Sequence, residues 1–369
     1  MVIFAFAYIF ISTVFLLITV LFNLNIKYRL LLAFSFLFIL SMSIIAYYFK
    51  PPETYDLYRY LELIDEMHSQ SLMVCLFQAK YRYESFFNLF LVLTAKGILT
   101  KQGFVCITVF LIYWFTFKPT FSFSKKNNRT GVNLYLLVFL TFSLIVYAIS
   151  GIRQQLATVL FGYAYMLEYS GKSKIKVFLL YLLAILTHNS IAIFFIIKIG
   201  SNLMLHLKMQ HLNKLLIFWG AIPGIFILFL SRIPISWLNE YGRRLNAYVV
   251  SPIRDYDMRL YAVQIAFLLV AYVFIIHPSK KFCIDKTYVT FLNTMFYFLI
   301  GSLPLVVIFE RSFRIFAVIL LPAFCEVQRS SSKINDFILR YSIAFLSTGM
   351  IFYQIIMMLS HYTPYSWII

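Results

Sequence analysis

Long apolar stretches, each bounded by a few polar residues, recur from one end of the chain to the other. They fall at 3–22, 30–49, 85–99, 103–118, 131–149, 154–170, 176–187 with 190–205, 214–231, 260–276, 287–309, 313–327 and 336–358. A helix of about 20 apolar residues crosses roughly 30 Å of hydrocarbon, so the pattern predicts an all-α polytopic bundle of about 11–13 membrane segments, some re-entrant. No polar segment exceeds about 35 residues, which leaves no room for an independent water-soluble domain. The expected organisation is one integral membrane domain over 1–369 with a polar loop at 232–259.

Charge in the loops orients these segments. The loops at 117–129, 171–176, 205–214, 277–286 and 328–333 are rich in Lys. Those at 50–70, 150–155, 231–259 and 309–311 carry Arg and almost no Lys. Cytoplasmic loops collect basic residues, which places the Lys-rich set in the cytoplasm and the second set on the opposite side. That topology requires a turn-back near His188. It also requires 85–118 to hold one crossing and a partial, re-entrant piece.

Composition agrees with the class. The chain of 369 residues is 62% hydrophobic and 12% charged, against roughly 25% charged in soluble domains, and its mean hydropathy is +0.84. Its net charge of +18 would suggest nucleic acid in a soluble protein. Here the insertion topology accounts for the Lys, and no nucleic-acid partner is expected. A second reading sets some of the arginines against an anionic, phosphate-bearing substrate. Cys75, Cys106, Cys283 and Cys325 are far apart and show no metal-ligand spacing, so neither a disulfide framework nor a metal site is indicated. The first stretch lacks a basic leader and a small-x-small cleavage site, and reads as a retained span.

Ionisable groups at membrane depth cost roughly 2.5–3.5 kcal/mol each, which makes them functional candidates. Arg153 follows "AISG" and opens the 154–170 segment, and His188 sits in "ILTHNSIAIFF". Glu310, Arg311 and Arg314 lie in "VVIFERSFRIF", and Glu84 begins "YESFFNLFLVL". All four places fall on the non-cytoplasmic side of the expected topology. Each also has a structural reading. Arg153 could snorkel from a helix end, His188 could be a satisfied packing residue, and Glu84 could pair with Arg82. Glu310 and Arg314 have the i, i+4 spacing of an intrahelical ion pair. Asp56 and Arg59 lie in the hydrophilic 50–70 loop. Arg232, Arg243, Arg244, Arg254 and Arg259, interleaved with Trp237, Tyr241, Tyr248 and Tyr256, could form a segment lying on the headgroups. As a set, guanidinium forks suit phosphate, aromatics with Arg and Asp suit sugar rings, and a His near neutrality can take a hydroxyl proton.

"SGIRQQLA" at 150–157, followed by "LTHNSIAI" at 186–193, resembles the EpsG-like branch of the bacterial Wzy polysaccharide polymerases. "YDLYRY" (55–60), "YESFFNLF" (83–90), "ERSFRIFAVILLPAF" (310–324) and the "TPYSWII" tail echo further motifs of that branch. Ser85 stands where the family often has Pro, and the first 50 or so residues carry no motif. The resemblance implies a GT-C-like architecture shared with O-antigen ligases, placed in the inner membrane and acting at the periplasmic face without a cofactor or metal. It implies transfer of a growing glycan from undecaprenyl pyrophosphate onto the distal sugar of a lipid-linked repeat unit, so lipid-linked oligosaccharides are both donor and acceptor. A Wzz-type chain-length regulator is an implied candidate partner. Arg153, Arg311 and Arg314 would hold the pyrophosphate. His188 would act as base or orienting group for the acceptor hydroxyl, with Glu84 or Asp56 as alternatives. Asp56, Arg59, Tyr241, Arg243, Arg244 and Arg254 would grip the saccharide. Two other readings stay open at this point: an O-antigen ligase, with the same donor chemistry, and a lipid-linked oligosaccharide flippase.

Overall fold

A computed structural model of the chain describes residues 1–51, 53, 55–76, 85–125, 129–142, 148–149, 151–219, 258–279, 285–330 and 332–361, without the side chains of 76, 129 and 355–361. Among the described residues all regular structure is helical, and the chain is a polytopic helical membrane protein. Among the described residues, four helices are long and apolar enough to cross a membrane: Val2–Leu21, Tyr28–Tyr48, Lys101–Lys125 and Met258–Ile276. The chain divides into two compact units, Met1–Phe194 with Val318–Ile369, and Phe195–Ala317.

The first unit begins with α1 (Val2–Leu21) and α2 (Tyr28–Tyr48). The 50–70 segment, expected as a loop, is instead the helix α3 (Asp56–His68). Its Leu57, Tyr60, Leu63, Ile64 and Met67 recur at helical spacing and are buried, while Asp56, Arg59, Asp65 and Glu66 face outward. This amphipathic stripe fixes the helix against its neighbours. A short turn of helix, α4 (Leu72–Leu76), follows. Next come α5 (Ser85–Ala95) and α6 (Lys101–Lys125). At 11 residues, α5 spans about 16 Å, half of a bilayer core. It ends on Gly97, whose φ of 75° lets its N–H reach the Thr94 carbonyl at 3.0 Å and the Ile98 N–H the Leu93 carbonyl at 3.0 Å. The segment expected to stop at 118 continues through Pro119 to Lys125. Neighbouring helices and Ser/Thr side chains make such a proline tolerable in a membrane helix, and Thr116 and Thr120 on either side bond to the carbonyls of Ile112 and Phe117.

Packing in the first unit is aromatic and close. Phe38 of α2 meets Tyr113 and Phe117 of α6 edge-on, with ring centroids 5.4 and 5.8 Å apart. Such pairs contribute about 0.5–1.5 kcal/mol each beyond area burial. Where lipid replaces water, small residues that let backbones approach take over from the hydrophobic effect. Gly131 of α7 (Arg129–Phe142) is one: a Cβ there would sit 2.5 Å from the Cα of Cys325 in α14 (Leu321–Ser330).

Two further helices, α8 (Ile152–Tyr169) and α9 (Lys174–Thr187), form a tight hairpin. Gly171, at φ 66°, makes the turn possible. Its N–H bonds to the Glu168 carbonyl at 2.9 Å, and the Lys172 N–H reaches Leu167 at 3.0 Å. The Tyr181 hydroxyl donates to Glu168 at 2.8 Å, and the rings of Phe161 and Tyr181 lie 5.2 Å apart. The chain then breaks at 188–190, where the turn-back was expected, before α10 (Ile191–His206).

In the second unit a 3₁₀ helix (Gln210–Phe218) precedes α11 (Met258–Ala271), which continues into a π-helical stretch (Tyr272–Ile276). The next pair is α12 (Lys286–Ser302) and α13 (Val306–Ile319). Trp219 stacks on Phe298 of α12 at 4.6 Å and donates its Nε1–H to that residue's carbonyl at 2.9 Å. The expected 287–309 and 313–327 segments are cut differently. The break comes at 303–305, where Pro304 cannot continue a helix, so Glu310 and Arg311 stand in the middle of α13 and not in a loop. The last helix, α15 (Lys333–His361), belongs to the first unit.

Candidate functional site

The α8–α9 hairpin decides where the two most specific sequence elements meet. Arg153 occupies the first turn of α8, and His188 follows the last residue of α9. Because a four-residue connection makes the two helices antiparallel, both residues lie at the open end of the hairpin, away from Gly171. His188 is partly exposed and extended (φ −154°, ψ 117°), and its N–H caps the Ala184 carbonyl at 3.0 Å.

Arg153 is also partly exposed, and its guanidinium lies 5.5 Å from the centre of the Tyr60 ring. Tyr60 is 3% exposed and held edge-on against Phe87 of α5 at 5.1 Å. Phe87 in turn meets Phe104 of α6 at 5.8 Å. A chain of rings thus anchors the platform under Arg153, and α5 also packs on α9. A cation over an aromatic face gains about 0.5–2 kcal/mol, depending on desolvation. The neighbouring Gln155 is fully buried on the inward face of α8. The same helix start offers N–H groups without intrahelical acceptors and the positive end of its dipole, both favourable to an anion.

Asp56 and Arg59 stand one turn apart on the outer face of α3, paired at 3.5 Å and more than half exposed. The C-terminal end of this helix is pinned: the Lys96 ammonium donates to the Met67 carbonyl at 3.1 Å, and His68 Nδ1 lies 2.8 Å from the Ala95 carbonyl. Between the end of α2, α3 and the start of α6 lies a cleft of about 300 Å³, lined by Tyr58, Glu62, Asp65, Lys101 and Gln102 among others. Lys101 bridges Asp65 there. The Glu62 carboxylate holds the Tyr58 phenol above its ordinary range, so it stays a hydroxyl donor.

Glu310, Arg311 and Arg314 belong to the second unit. Glu310 and Arg314 are 6% and 7% exposed and form the i, i+4 ion pair that their spacing allows, which neutralises both charges within one helix. Arg311 is partly exposed. Glu84, Tyr241, Arg243, Arg244 and Arg254 lie outside the described residues. Tyr60 escaped the sequence reading because its segment passed for a loop. The Leu57–Tyr60–Leu63/Ile64–Met67 spacing was the signal that marks it as an inward position.

The helical membrane bundle thus presents an arginine and a histidine at one end of a hairpin, beside an amphipathic helix bearing acidic and aromatic side chains. The sequence profile of the EpsG family matches residues 32–367, and the chain belongs to that family, whose members are Wzy-like polymerases. Membership supports a polysaccharide polymerase type of function. Comparison with curated proteins and with solved structures gave no match.

Proposed function

We propose that the chain is a glycosyltransferase of the Wzy type. It transfers a growing glycan from undecaprenyl pyrophosphate to the distal sugar of a lipid-linked repeat unit, at the periplasmic face of the inner membrane. The observation that carries this reading is the placement of Arg153 in the first turn of α8, over Tyr60 and at the same hairpin end as His188. Arg153 and the α8 N-terminus bind the pyrophosphate and offset the charge that grows on it as the anomeric C–O bond breaks. His188 takes the proton of the acceptor hydroxyl as that oxygen bonds to the anomeric carbon. Asp56, Arg59 and the cleft beside α3 hold the saccharide.

The test is complementation of a strain lacking the gene, read as the ladder of surface polysaccharide on a gel. Arg153→Ala and His188→Ala should each remove long chains and leave single repeat units on the acceptor. Long chains persisting in both variants would sink the site assignment. Lipid-linked polymer accumulating without transfer to the core in the deleted strain would indicate a ligase.

A further inference from the structure

At the Gly171 end of the α8–α9 hairpin, away from Arg153, two lysines converge on one tyrosine. Tyr163 of α8 is buried, and α6 packs beside it, with the rings of Phe115 and Tyr163 5.4 Å apart. The Lys118 ammonium of α6 lies 5.3 Å from the centre of the Tyr163 ring and 5.6 Å from that of Trp114. The Lys176 ammonium, in the first turn of α9, acts through space on the Tyr163 hydroxyl. Two cations brought to one residue favour an anion between them. The three helices supply little to serve as one: α6 and α9 contain no acidic residue, and the one in α8, Glu168, accepts the Tyr181 hydroxyl. Among the described residues neither lysine forms an ion pair.

The surface leading away from Lys118 is apolar. Trp114, Phe110 and Ile107 follow it back along α6 at spacings of four, four and three residues, which makes one stripe of the helix, and all three are exposed. The Phe110 and Trp114 rings stack at 6.2 Å. On α9, Leu179 stands one turn on from Lys176 and is also exposed. Exposed apolar side chains on a membrane helix need no more than bulk lipid. A stripe that ends on a tryptophan and then an ammonium without a counter-ion has the order of an acyl chain, its interface and its phosphate. A zwitterionic headgroup would bring a third ammonium to this place, so the charge favours a headgroup that is anionic overall.

We propose that the face of α6 and α9 around Tyr163 binds one anionic phospholipid. Its phosphate lies between the ammonium groups of Lys118 and Lys176. Its acyl chains run along Trp114, Phe110 and Ile107 on one side and past Leu179 on the other. Ten residues of α8 separate Tyr163 from Arg153, about 15 Å along the axis, so the site stands apart from the reaction proposed at the other end of the hairpin.

Native mass spectrometry of the full chain in detergent tests this directly, with phosphatidylglycerol, phosphatidylethanolamine, undecaprenyl phosphate and soluble glycerol phosphate as probes. Phosphatidylglycerol should be retained about tenfold more strongly than phosphatidylethanolamine, and Lys118→Gln and Lys176→Gln should each cut that retention about tenfold, the worth of one charge-assisted hydrogen bond. Lys118→Arg keeps the charge and should hold retention within about threefold. Lys174→Gln removes the same charge from the opposite face of α9 and should change retention by less than about twofold. Equal retention of the two phospholipids overturns the proposal. So does a loss in Lys174→Gln as large as that in Lys118→Gln, which would reduce the site to general surface charge. If Lys118→Arg loses as much as Lys118→Gln, Lys118 serves packing and its binding role fails. Undecaprenyl phosphate or glycerol phosphate binding as tightly as phosphatidylglycerol overturns the phospholipid assignment, and gives the site to the carrier or to a soluble phosphate.

Discussion

Arg153 and Arg340 both sit on helices of the first unit, yet the structure treats them in opposite ways. Arg340 is 8% exposed. One nitrogen, Nη1, donates to the carbonyls of Val20 and Leu21 at 3.1 and 3.0 Å, and Nε bonds to Asp336 at 3.0 Å. It therefore closes the C-terminal end of α1, where carbonyls lack intrahelical donors and the dipole is negative. Arg153 stands at the opposite kind of terminus. It is partly exposed over a ring at the positive end of α8, where a cation gains nothing from the dipole and an anion gains from both dipole and guanidinium. An arginine whose fork is spent on backbone is a structural joint. One placed against the dipole and toward the surface is, in the function proposed above, a binding group.

The largest effect expected from this contrast is on stability. Arg340→Ala should destabilise the protein by about 3–5 kcal/mol, the cost of breaking a buried ion pair and orphaning its partners. Among the described residues, the Asp336 carboxylate would keep its contact with Gln328 alone. Arg153→Ala should cost less, about 0.5–2 kcal/mol, the worth of a partly desolvated cation over a ring. Unfolding in detergent, followed by the loss of folded protein with temperature, separates the two. If the variants melt together, the distinction between joint and binding group fails.

The second effect runs the other way. Arg153→Ala should lower polymer synthesis from lipid-linked repeat units about 100-fold or more, as loss of one preorganised transition-state donor does in other enzymes. Arg340 variants that still fold should keep their rate per folded molecule. Arg153→Lys separates charge from shape. It should recover part of the rate but remain about tenfold down, because an ammonium cannot make the two parallel bonds of a guanidinium. Full recovery by lysine would reduce Arg153 to a point charge.

The sequence made one of these arginines visible and hid the other. Arg153 stands out as a charge between two apolar stretches, and the break at His188 is equally plain from the polar cluster between two of them. Arg340 gives no such signal, since the carbonyls it closes are some 320 positions away. Close approaches such as Gly131 against Cys325 are hidden for the same reason: they depend on which helices become neighbours. The errors at α3 and α13 share a different cause, because charge was read as loop. In α3 the charged residues line one face of an amphipathic helix, and in α13 Glu310 and Arg314 neutralise each other, so that both helices carry charge without unwinding.

The smallest effect tests how Arg153 is held. Tyr60 offers the face of its ring to the guanidinium and its edge to Phe87. Tyr60→Leu keeps an apolar group on the inward stripe of α3 but removes the quadrupole that attracts the cation. The interaction at a partly exposed site is worth about 0.5–1 kcal/mol, so polymer synthesis should fall only about two- to fivefold. Tyr60→Phe keeps the ring and should stay within twofold of the wild-type rate. The effect should also depend on Arg153: combined with Arg153→Ala, the Tyr60→Leu change should add almost nothing, since residues acting through one interaction are not additive. A double variant whose losses multiply would mean that Tyr60 acts on the substrate directly, and the platform under Arg153 would have to be reassigned as part of the saccharide cleft.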